Sequence, residues 1–441
     1  MKFIPFIDVS PVDSRYFADA EGKTYVPIGC NLSFFRGSED VPEETVLETY
    51  RTWMTNFAQN GGNFIRIWLG VPFFNVMPER VGEYDERAVS HIRYIVGLAE
   101  KLGLRIKFTL EHFRSIRKQN EAESFPGVVR FNNPVYIGMA SDMHEYMNSP
   151  ECRKAYLDKA RFLAKCGFGN SPAVIAWELW NEINAVAPLE DYAPWSDYMI
   201  AELKQIFPKQ MIVQNLGSFS GRDSYRNYDQ LATVKDNGWM QVHRYFDPGA
   251  ELEVCRGPMD ILCADAVREL LDRAPARPAI LAECGAVEKN HSRYSDQYAD
   301  DCEGLLLHDM IFAAFFAGSA GCGQPWHWDH IYIARHNLWY HFKRFAKAVE
   351  GLDPAAEHFR PFRTESHRMR IYGLRGTGTV LLWFRSKDGG TAENESFWFG
   401  GCGTAEIYFP LEDRRETLKV EDNGWCNLPA IKRSAVIRFV R

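Results

Sequence analysis

The sequence predicts an α/β fold, a (β/α)8 TIM barrel over residues 1–352 joined to a small, sandwich-like all-β domain over residues 353–441. Two observations predict it. From Tyr25 to about Glu350, short β-rich apolar runs alternate with longer amphipathic ones, the pattern of parallel βα units, and eight such units can be counted. After Gly351 the apolar period changes to two, in runs separated by Gly, Asp and Asn turns. Eight units in roughly 325 residues have the size of a barrel with insertions.

In chain order the candidate strands are YVPIGCNL (25–32), NFIRIWLG (63–70), RIKFTLEH (105–112), VIAWELWNE (174–182), MIVQNLGS (211–218), WMQVHRYF (239–246), AILAECGA (279–286) and GCGQPWHW (321–328). Helical stretches such as EETVLETYRTWMTNFAQNG, DERAVSHIRYIVGLAEKLG and SPECRKAYLDKARFLAKCG lie between them. Two of these end in Gly after a charged last turn, and the third opens on Ser149-Pro150, a cap followed by proline at the first helical position. The longest insertion, Phe113 to Asn148, follows the third strand; in a barrel this loop falls on the active-site face and is a candidate for shaping a cleft. Beyond Gly351, the runs RMRIYGLRG, TVLLWFRS, SFWFGGCG, AEIYFP, ETLKV and AVIRFVR supply the β domain, with no low-complexity linker before it.

Bulk composition narrows the function classes. With 46% hydrophobic residues and a formal charge of -7, the chain has a large core and no basic stripe for nucleic acid. MKFIPFIDVS places Pro5 and Asp8 where an export leader needs an unbroken apolar run, and Met310 to Gly323 is too short an apolar stretch to span a bilayer. It reads as a buried helix and its exit. The ten cysteines are scattered singly without a CxxC pair, so reduced thiols and a cytoplasmic address are the expectation. Oligomeric state is not encoded in any feature of the sequence.

Chemistry is expected where barrel strands end. The fourth strand delivers Trp180, Asn181 and Glu182, and the seventh delivers Glu283 from LAECG. The two glutamates are 101 positions apart, or three βα units of about 34 residues. Two carboxylates across one barrel mouth, about 5 to 5.5 Å apart, are what retaining glycoside hydrolysis requires. At about 5.5 Å and an effective dielectric near 20 they repel by roughly 3 kcal/mol, about two pKa units, so one stays protonated. Strict alternation sends Asn181 and Glu182 to opposite faces, so both reach one pocket only if the strand twists or bulges at its end. Glu178, in step with Glu182, is expected deeper in the barrel as a paired structural residue.

The segments NFIRIW, AWELWNE, QVHRYF and LAECG, in this order, resemble clan A glycoside hydrolases of the family 5 type, over roughly residues 20 to 350. The likeness implies Glu182 as acid/base and Glu283 as nucleophile, with Asn181 on the sugar 2-hydroxyl, Arg66 and Tyr245 on the nucleophile and His243 near the acid/base. His243 also reads as a satisfied structural histidine. His112 matches a strand-three histidine found in many family 5 members. A tryptophan at the end of strand eight would floor the sugar that is cleaved, and Trp326 and Trp328 are both candidates, with Trp180 a further aromatic surface. Ile183 stands where the family usually has proline, and Arg244 where an apolar residue is common; these departures bear on substrate rather than mechanism. The implied substrate is a β-linked hexose poly- or oligosaccharide, mannan first and glucan second, with no cofactor.

Other readings are set against this one. A glycan-binding barrel without catalysis would keep the aromatics but has no reason to hold two repelling acids together. A serine hydrolase lacks its elbow, since GSFSG (217–221) has Phe219 at the nucleophile position, and a dinucleotide enzyme lacks its fingerprint. His327, Asp329 and His330 could be a metal cluster but have no supporting ligand elsewhere in the sequence. Trp383, Trp398 and Trp425 in the β domain are either a carbohydrate surface or packing residues, and alternating aromatics are ordinary in strands.

Overall fold

The computed structural model describes residues 4–112, 134–136 and 138–440. Seven parallel strands follow the expected order: β1 (Gly29–Asn31), β2 (Phe64–Trp68), β3 (Arg105–His112), β4 (Val174–Asn181), β5 (Met211–Val213), β6 (Met240–Phe246) and β7 (Ala279–Ala286). The first five form one sheet in sequential order, and β6 pairs with β7 in another. Every residue of β3, β4 and β7 is buried, as expected of parallel strands covered on both faces. The helices that cover them are α1 (Glu43–Gln59), α2 (Glu86–Leu102), α3 (Pro150–Lys165), α4 (Leu189–Ile206), α5 (Asp223–Thr233), α6 (Met259–Arg273), α7 (Leu305–Phe316) and α8 (Tyr340–Ala348). The helix signals act as read: Ser149 accepts from the Cys152 amide with Pro150 in the first turn, and Gly103 closes α2 at φ 75.

The segment expected as the eighth strand takes no regular strand form. It nevertheless links β7 to β1. Gln324 N donates to Leu281 O at 2.9 Å and Cys284 N to Gln324 O at 3.1 Å on one side, while Cys322 N reaches Pro27 O at 3.0 Å and Asn31 N reaches Pro325 O at 3.2 Å on the other. Its residues explain the irregularity. A Cβ at Gly321 would collide with the Pro27 carbonyl and one at Gly323 with the Met310 carbonyl, and Pro325 has no N–H to give. Between β5 and β6, Gly238 N donates to Ile212 O and Phe219 N to His243 O, each at 2.9 Å.

A small antiparallel sheet of Ile7–Val9, Phe17–Asp19 and Thr24–Tyr25 precedes β1 and was not expected. It packs at the N-terminal end of the strands, where Phe17 meets Trp239 edge to face at 5.5 Å. Among the described residues no helix is long and apolar enough to cross a membrane. All ten cysteines are free thiols.

The C-terminal region is an antiparallel sheet of β8 (Arg360–Glu365), β9 (Met369–Arg375), β10 (Thr379–Ser386), β11 (Gly403–Phe409), β12 (Arg414–Val420) and β13 (Ser434–Val440), ordered β8-β9-β10-β13-β11-β12. β8 escaped the sequence reading because it is an exposed edge strand with Pro361 and no apolar alternation. Alternation splits the central strands between two cores. Val380, Leu382, Phe384 and Ile437 face a core of their own, whereas Leu381, Trp383 and Val436 join the large core beneath α7. Trp383 is therefore a packing residue, against His308, Phe312 and Phe316, while Trp398 and Trp425 are half exposed as a cross-strand pair.

Two buried ion pairs complete this docking. Arg370 grips Asp260 of α6 through Nε at 2.6 Å and Nη2 at 2.8 Å, with Tyr372 OH donating to the same carboxylate at 2.8 Å. Arg385 binds Asp309 of α7 at 2.8 Å. Removing one partner leaves the other charge buried and unpaired. Asp260→Ala is expected to lower the unfolding free energy by about 3 to 5 kcal/mol, measured by urea denaturation; a loss below about 1 kcal/mol would mean that the pair is solvated.

Candidate active site

The site is built by departures from strand regularity. In β4, Glu178 Oε1 accepts from Arg66 Nε at 3.0 Å, and Asn181 Oδ1 accepts from Arg66 Nη2 at 2.5 Å. Residues three apart on a regular strand point to opposite faces, so the alternation slips once between them. Trp180 lies on the outer side, packed against Trp195 of α4 and Tyr146. β3 slips at the same level: Thr109 Oγ1 points inward to Glu178 at 2.8 Å, yet Glu111 turns outward to Lys159 and Tyr136. α3 meets both slips. Tyr156 OH donates to Leu179 O at 2.7 Å and Lys159 Nζ to Leu110 O at 3.4 Å.

Two further irregularities aim the acids. Glu182 adopts the left-handed conformation, φ 52 and ψ 51, at the start of a single 3-10 turn, Ile183–Ala185. For a residue with a Cβ this costs roughly 1–3 kcal/mol, and the amide of Glu182 is held by Asn215 Oδ1 at 2.6 Å. This twist resolves the difficulty that alternation raised for Asn181 and Glu182. In β7 the register against β6 shifts by one between Leu281 and Glu283, which sets Glu283 opposite His243. The carbonyl of the skipped Ala282 is taken by Asn31 Nδ2 at 3.0 Å.

Glu182, Glu283 and His243 are thereby brought together. One oxygen of each carboxylate and an imidazole nitrogen all lie within 4.8 Å of one another. His243 Nδ1 is 2.6 Å from Glu182 Oε1 and 3.4 Å from Glu283 Oε2. Tyr245 OH donates to Glu283 Oε2 at 2.6 Å, and Arg66 Nη1 donates to Glu283 Oε1. Burial and the neighbouring Glu283 hold the Glu182 carboxyl well above the usual carboxylate range. Burial raises Glu283 too, opposed by Arg66 and by the Tyr245 hydroxyl. Burial, aided by Arg66 and Lys107, pushes His243 well below the ordinary imidazole value, so it is neutral. Of the two, Glu182 holds its proton the longer, and Glu283, with both oxygens hydrogen-bonded, is the one favoured as the anion.

Behind it lies a buried ionic layer. Glu178 accepts from Arg66, Thr109, Lys107 at 2.7 Å and Gln241 at 2.9 Å. Burial opposes its charge, but Arg66 and Lys107 hold its carboxyl down at about 2. Lys107 and Gln241 were not singled out in the sequence, nor were Asn31, Asn215 and His291, whose ring lies 4.7 Å from that of Tyr245. Lys107 carried a signal: a lysine inside RIKFTLEH, a strand buried throughout, needs an internal partner.

Aromatic residues wall one side. His112 stacks on Trp68 at 4.9 Å, and Trp68 meets Trp326 at 5.1 Å. Trp326 is only partly buried, whereas Trp328 is fully buried against Phe34 and Trp53. Of the three tryptophans read as sugar platforms, Trp326 alone has a surface to offer; Trp180 and Trp328 are core residues, a correction to the sequence reading. His327, Asp329 and His330 do not converge, because Asp329 pairs with Arg36 at 2.6 Å, His327 faces Tyr298 at 3.1 Å and His330 is exposed. Among the described residues the one grouping with metal-ligand geometry is Glu182, His243 and Glu283. Arg66 and Tyr245 already occupy both oxygens of Glu283, and the guanidinium charge opposes a second cation there. Most of the insertion expected to shape the cleft, residues 113–133 and 137, lies outside the described residues.

No known family model matches the chain. It is 22% identical over 205 residues to mannan endo-1,4-beta-mannosidase 2 of Arabidopsis thaliana, covering 44% of this chain and 41% of that protein. The chain spans about two fifths of the length of the first curated relatives it matches. Its fold is that of a solved glycoside hydrolase, with a TM-score of 0.66 at 14% identity over 100% of this chain and 98% of the other. It is also similar to a glycoside hydrolase family 5 protein from Bacteroides vulgatus ATCC 8482, with a TM-score of 0.64 at 12% identity over 100% and 95% of the two chains. The likeness to family 5 glycoside hydrolases expected from the four strand motifs is borne out.

A carboxyl whose pKa is raised by folding gives its full contribution to stability below its unfolded value, 4.5 for Glu182, and loses it as pH rises from there up to its folded pKa. Glu182→Gln removes that loss. The variant is expected to exceed the parent protein in stability by roughly 1–2 kcal/mol at pH 8, with a smaller gap at pH 5, by thermal or urea unfolding; a gap that shrinks as pH rises would contradict the protonation state given above.

Proposed function

We propose that this chain is a retaining β-glycosidase that hydrolyses β-linked hexose poly- or oligosaccharides, with mannan as the favoured substrate and glucan second. The observation that carries the proposal is the close approach of Glu182 and Glu283, with a carboxylate oxygen of each inside a 4.8 Å grouping, because that spacing suits direct attack by Glu283 and leaves no room for a water between Glu283 and the sugar. The names of the plant relatives favour mannan. In this reading the two parallel sheets and the segment 320–326 close as a (β/α)8 barrel over residues 1–352, with 353–441 as an attached β domain. A cytoplasmic address belongs to it too, supported by ten free thiols.

Glu283 attacks the anomeric carbon while Glu182 gives its proton to the leaving oxygen. Arg66 and Tyr245 fix both oxygens of Glu283, so the nucleophile is oriented before substrate arrives. When Glu283 becomes an ester its charge disappears, the repulsion that kept Glu182 protonated goes with it, and Glu182 can take a proton from the incoming water. His243 accompanies this proton at 2.6 Å. Arg66 holds Asn181 by its oxygen, which leaves the amide hydrogens to bind the sugar 2-hydroxyl. Trp326 offers its indole to the C–H face of the same sugar, beside His112 and Trp68.

Assayed on aryl β-mannosides, Glu283→Ala is expected to abolish turnover. Glu182→Ala should lose about 10²–10⁴-fold on poor leaving groups and much less on good ones. Full activity in the first variant would remove the assignment. NMR of the first-formed product should show retained anomeric configuration, and inversion would overturn the double displacement. The pH profile of kcat/KM should rise as Glu283 loses its proton and fall as Glu182 loses its own. Both limbs should stand above the ordinary carboxylate range, because burial raises both groups; a profile centred near pH 4 would contradict the electrostatics.

A further inference from the structure

Three charged side chains, Arg66, Lys107 and Glu178, are buried around the acid pair, and their arrangement has a job beyond holding strands together. Arg66 is shared: Nε and Nη2 serve Glu178, and Nη1 serves Glu283. A guanidinium divided between two carboxylates neutralises neither. Lys107 alters this, since its Nζ lies 2.7 Å from the far oxygen of Glu178 and no described acid is closer to it. Glu178 is then balanced by Lys107, and the charge of Arg66 remains for Glu283. Resting on the assignment of Glu182 and Glu283 as the acting pair, we infer that Lys107 and Glu178 are positioning residues which, through Arg66, leave one net positive charge around the two acids, so that the whole cluster is neutral when the pair holds one proton.

The other ionisable groups that face the pair leave this balance intact. His243 on β6 and His291 after β7 are pushed by burial toward the neutral form. Tyr245 on β6, Tyr228 on α5 and Cys284 on β7 are raised by burial, so they too are neutral. The charged groups on β2, β3, β4 and β7 that face the pair are therefore Arg66 and Lys107, whose ammonium pKa burial brings down to about 8, against Glu178 and Glu283, with Glu182 protonated. Losing Lys107 leaves a net negative surplus that must favour a second proton on the pair. Losing the charge of Glu178 leaves a positive surplus that must favour removing the first. A role confined to holding strands would change stability, and it has no reason to move the two titrations in opposite senses.

The test is a ¹³C NMR titration of glutamate-labelled protein, with the two carboxyls assigned through Glu182→Gln and Glu283→Gln. It is run on the parent chain, Lys107→Met, Glu178→Gln and the double variant, each checked for folding by circular dichroism. Lys107→Met should move both macroscopic pKa values of the pair up by about one unit or more, and Glu178→Gln should move both down by a similar amount. The double variant restores the charge count and should return both to within about half a unit of the parent. If Lys107→Met does not fold, the downward shift in Glu178→Gln and its reversal in the double variant still decide the sign. Shifts in one common direction, or none beyond about 0.3 unit, would overturn the inference. The pH profile of aryl β-mannoside hydrolysis is recorded in parallel. Inactivity of the parent chain with titrations that move as stated would sink the hydrolase reading alone, whereas activity with immobile titrations would sink this inference alone.

Discussion

The whole site depends on where one buried cation can find anions. Arg66 projects from β2 into the interior with no solvent exposure, and leaving such a guanidinium unpaired would cost several kcal/mol. It takes Glu178 and Asn181 from β4, Glu283 from β7, Thr109 from β3 and, more distantly, Asn31 from β1. Five strands, its own included, are thus tied to one side chain, and Asn181 and Glu283 are among its partners. Packing alone would admit many arrangements of apolar strands; this cation admits few.

Regular strands could not satisfy it. The slips at Leu110 and Leu179, the left-handed Glu182 and the extra residue at Ala282 each disturb a ladder, and each is answered by a named donor or acceptor: Lys159, Tyr156, Asn215 and Asn31. Strain of this kind persists only where the surroundings over-determine it. Its clustering at the ends of β4 and β7 is what converts two strand-end glutamates into a facing pair. The burial that raises Glu182 makes it a cost to folding at every pH above its unfolded value, so the fold is held elsewhere, by the large core and by the β domain docked through Asp260 and Asp309.

Much of this was legible in the sequence. AWELWNE and LAECG identify the two acids, NFIRIW gives the cation, and QVHRYF gives both His243 and Tyr245, because strand ends in a parallel α/β fold converge by topology. What failed was anything that depended on which way a side chain turns. Trp180 looks like a neighbour of Asn181, but the slip at Leu179 sends it to α4. Trp326 and Trp328 look equivalent, and only the turn after Pro325 decides that the second is buried. The GCGQPWHW run was too rich in Gly and Pro to form a strand, while RPFRTE formed one without any apolar alternation. Asn215 and Asn31 act through backbone groups of other segments, a role that leaves no mark on local periodicity.

The β domain shows the same division. Its strands read as alternating with a period of two, yet the central ones are apolar on both faces, because one face lies against α7 and the other against its own core. In the proposed reaction Glu283 becomes covalently bonded to the sugar. That bond is tested most directly by incubating the protein with an activated 2-deoxy-2-fluoro-β-mannoside and mapping the adduct by mass spectrometry of peptides. One sugar per chain is expected, on the peptide that carries Glu283; a label on Glu182, on any other residue, or none at all in an enzyme that turns over the parent aryl mannoside would contradict the assignment of Glu283 as nucleophile.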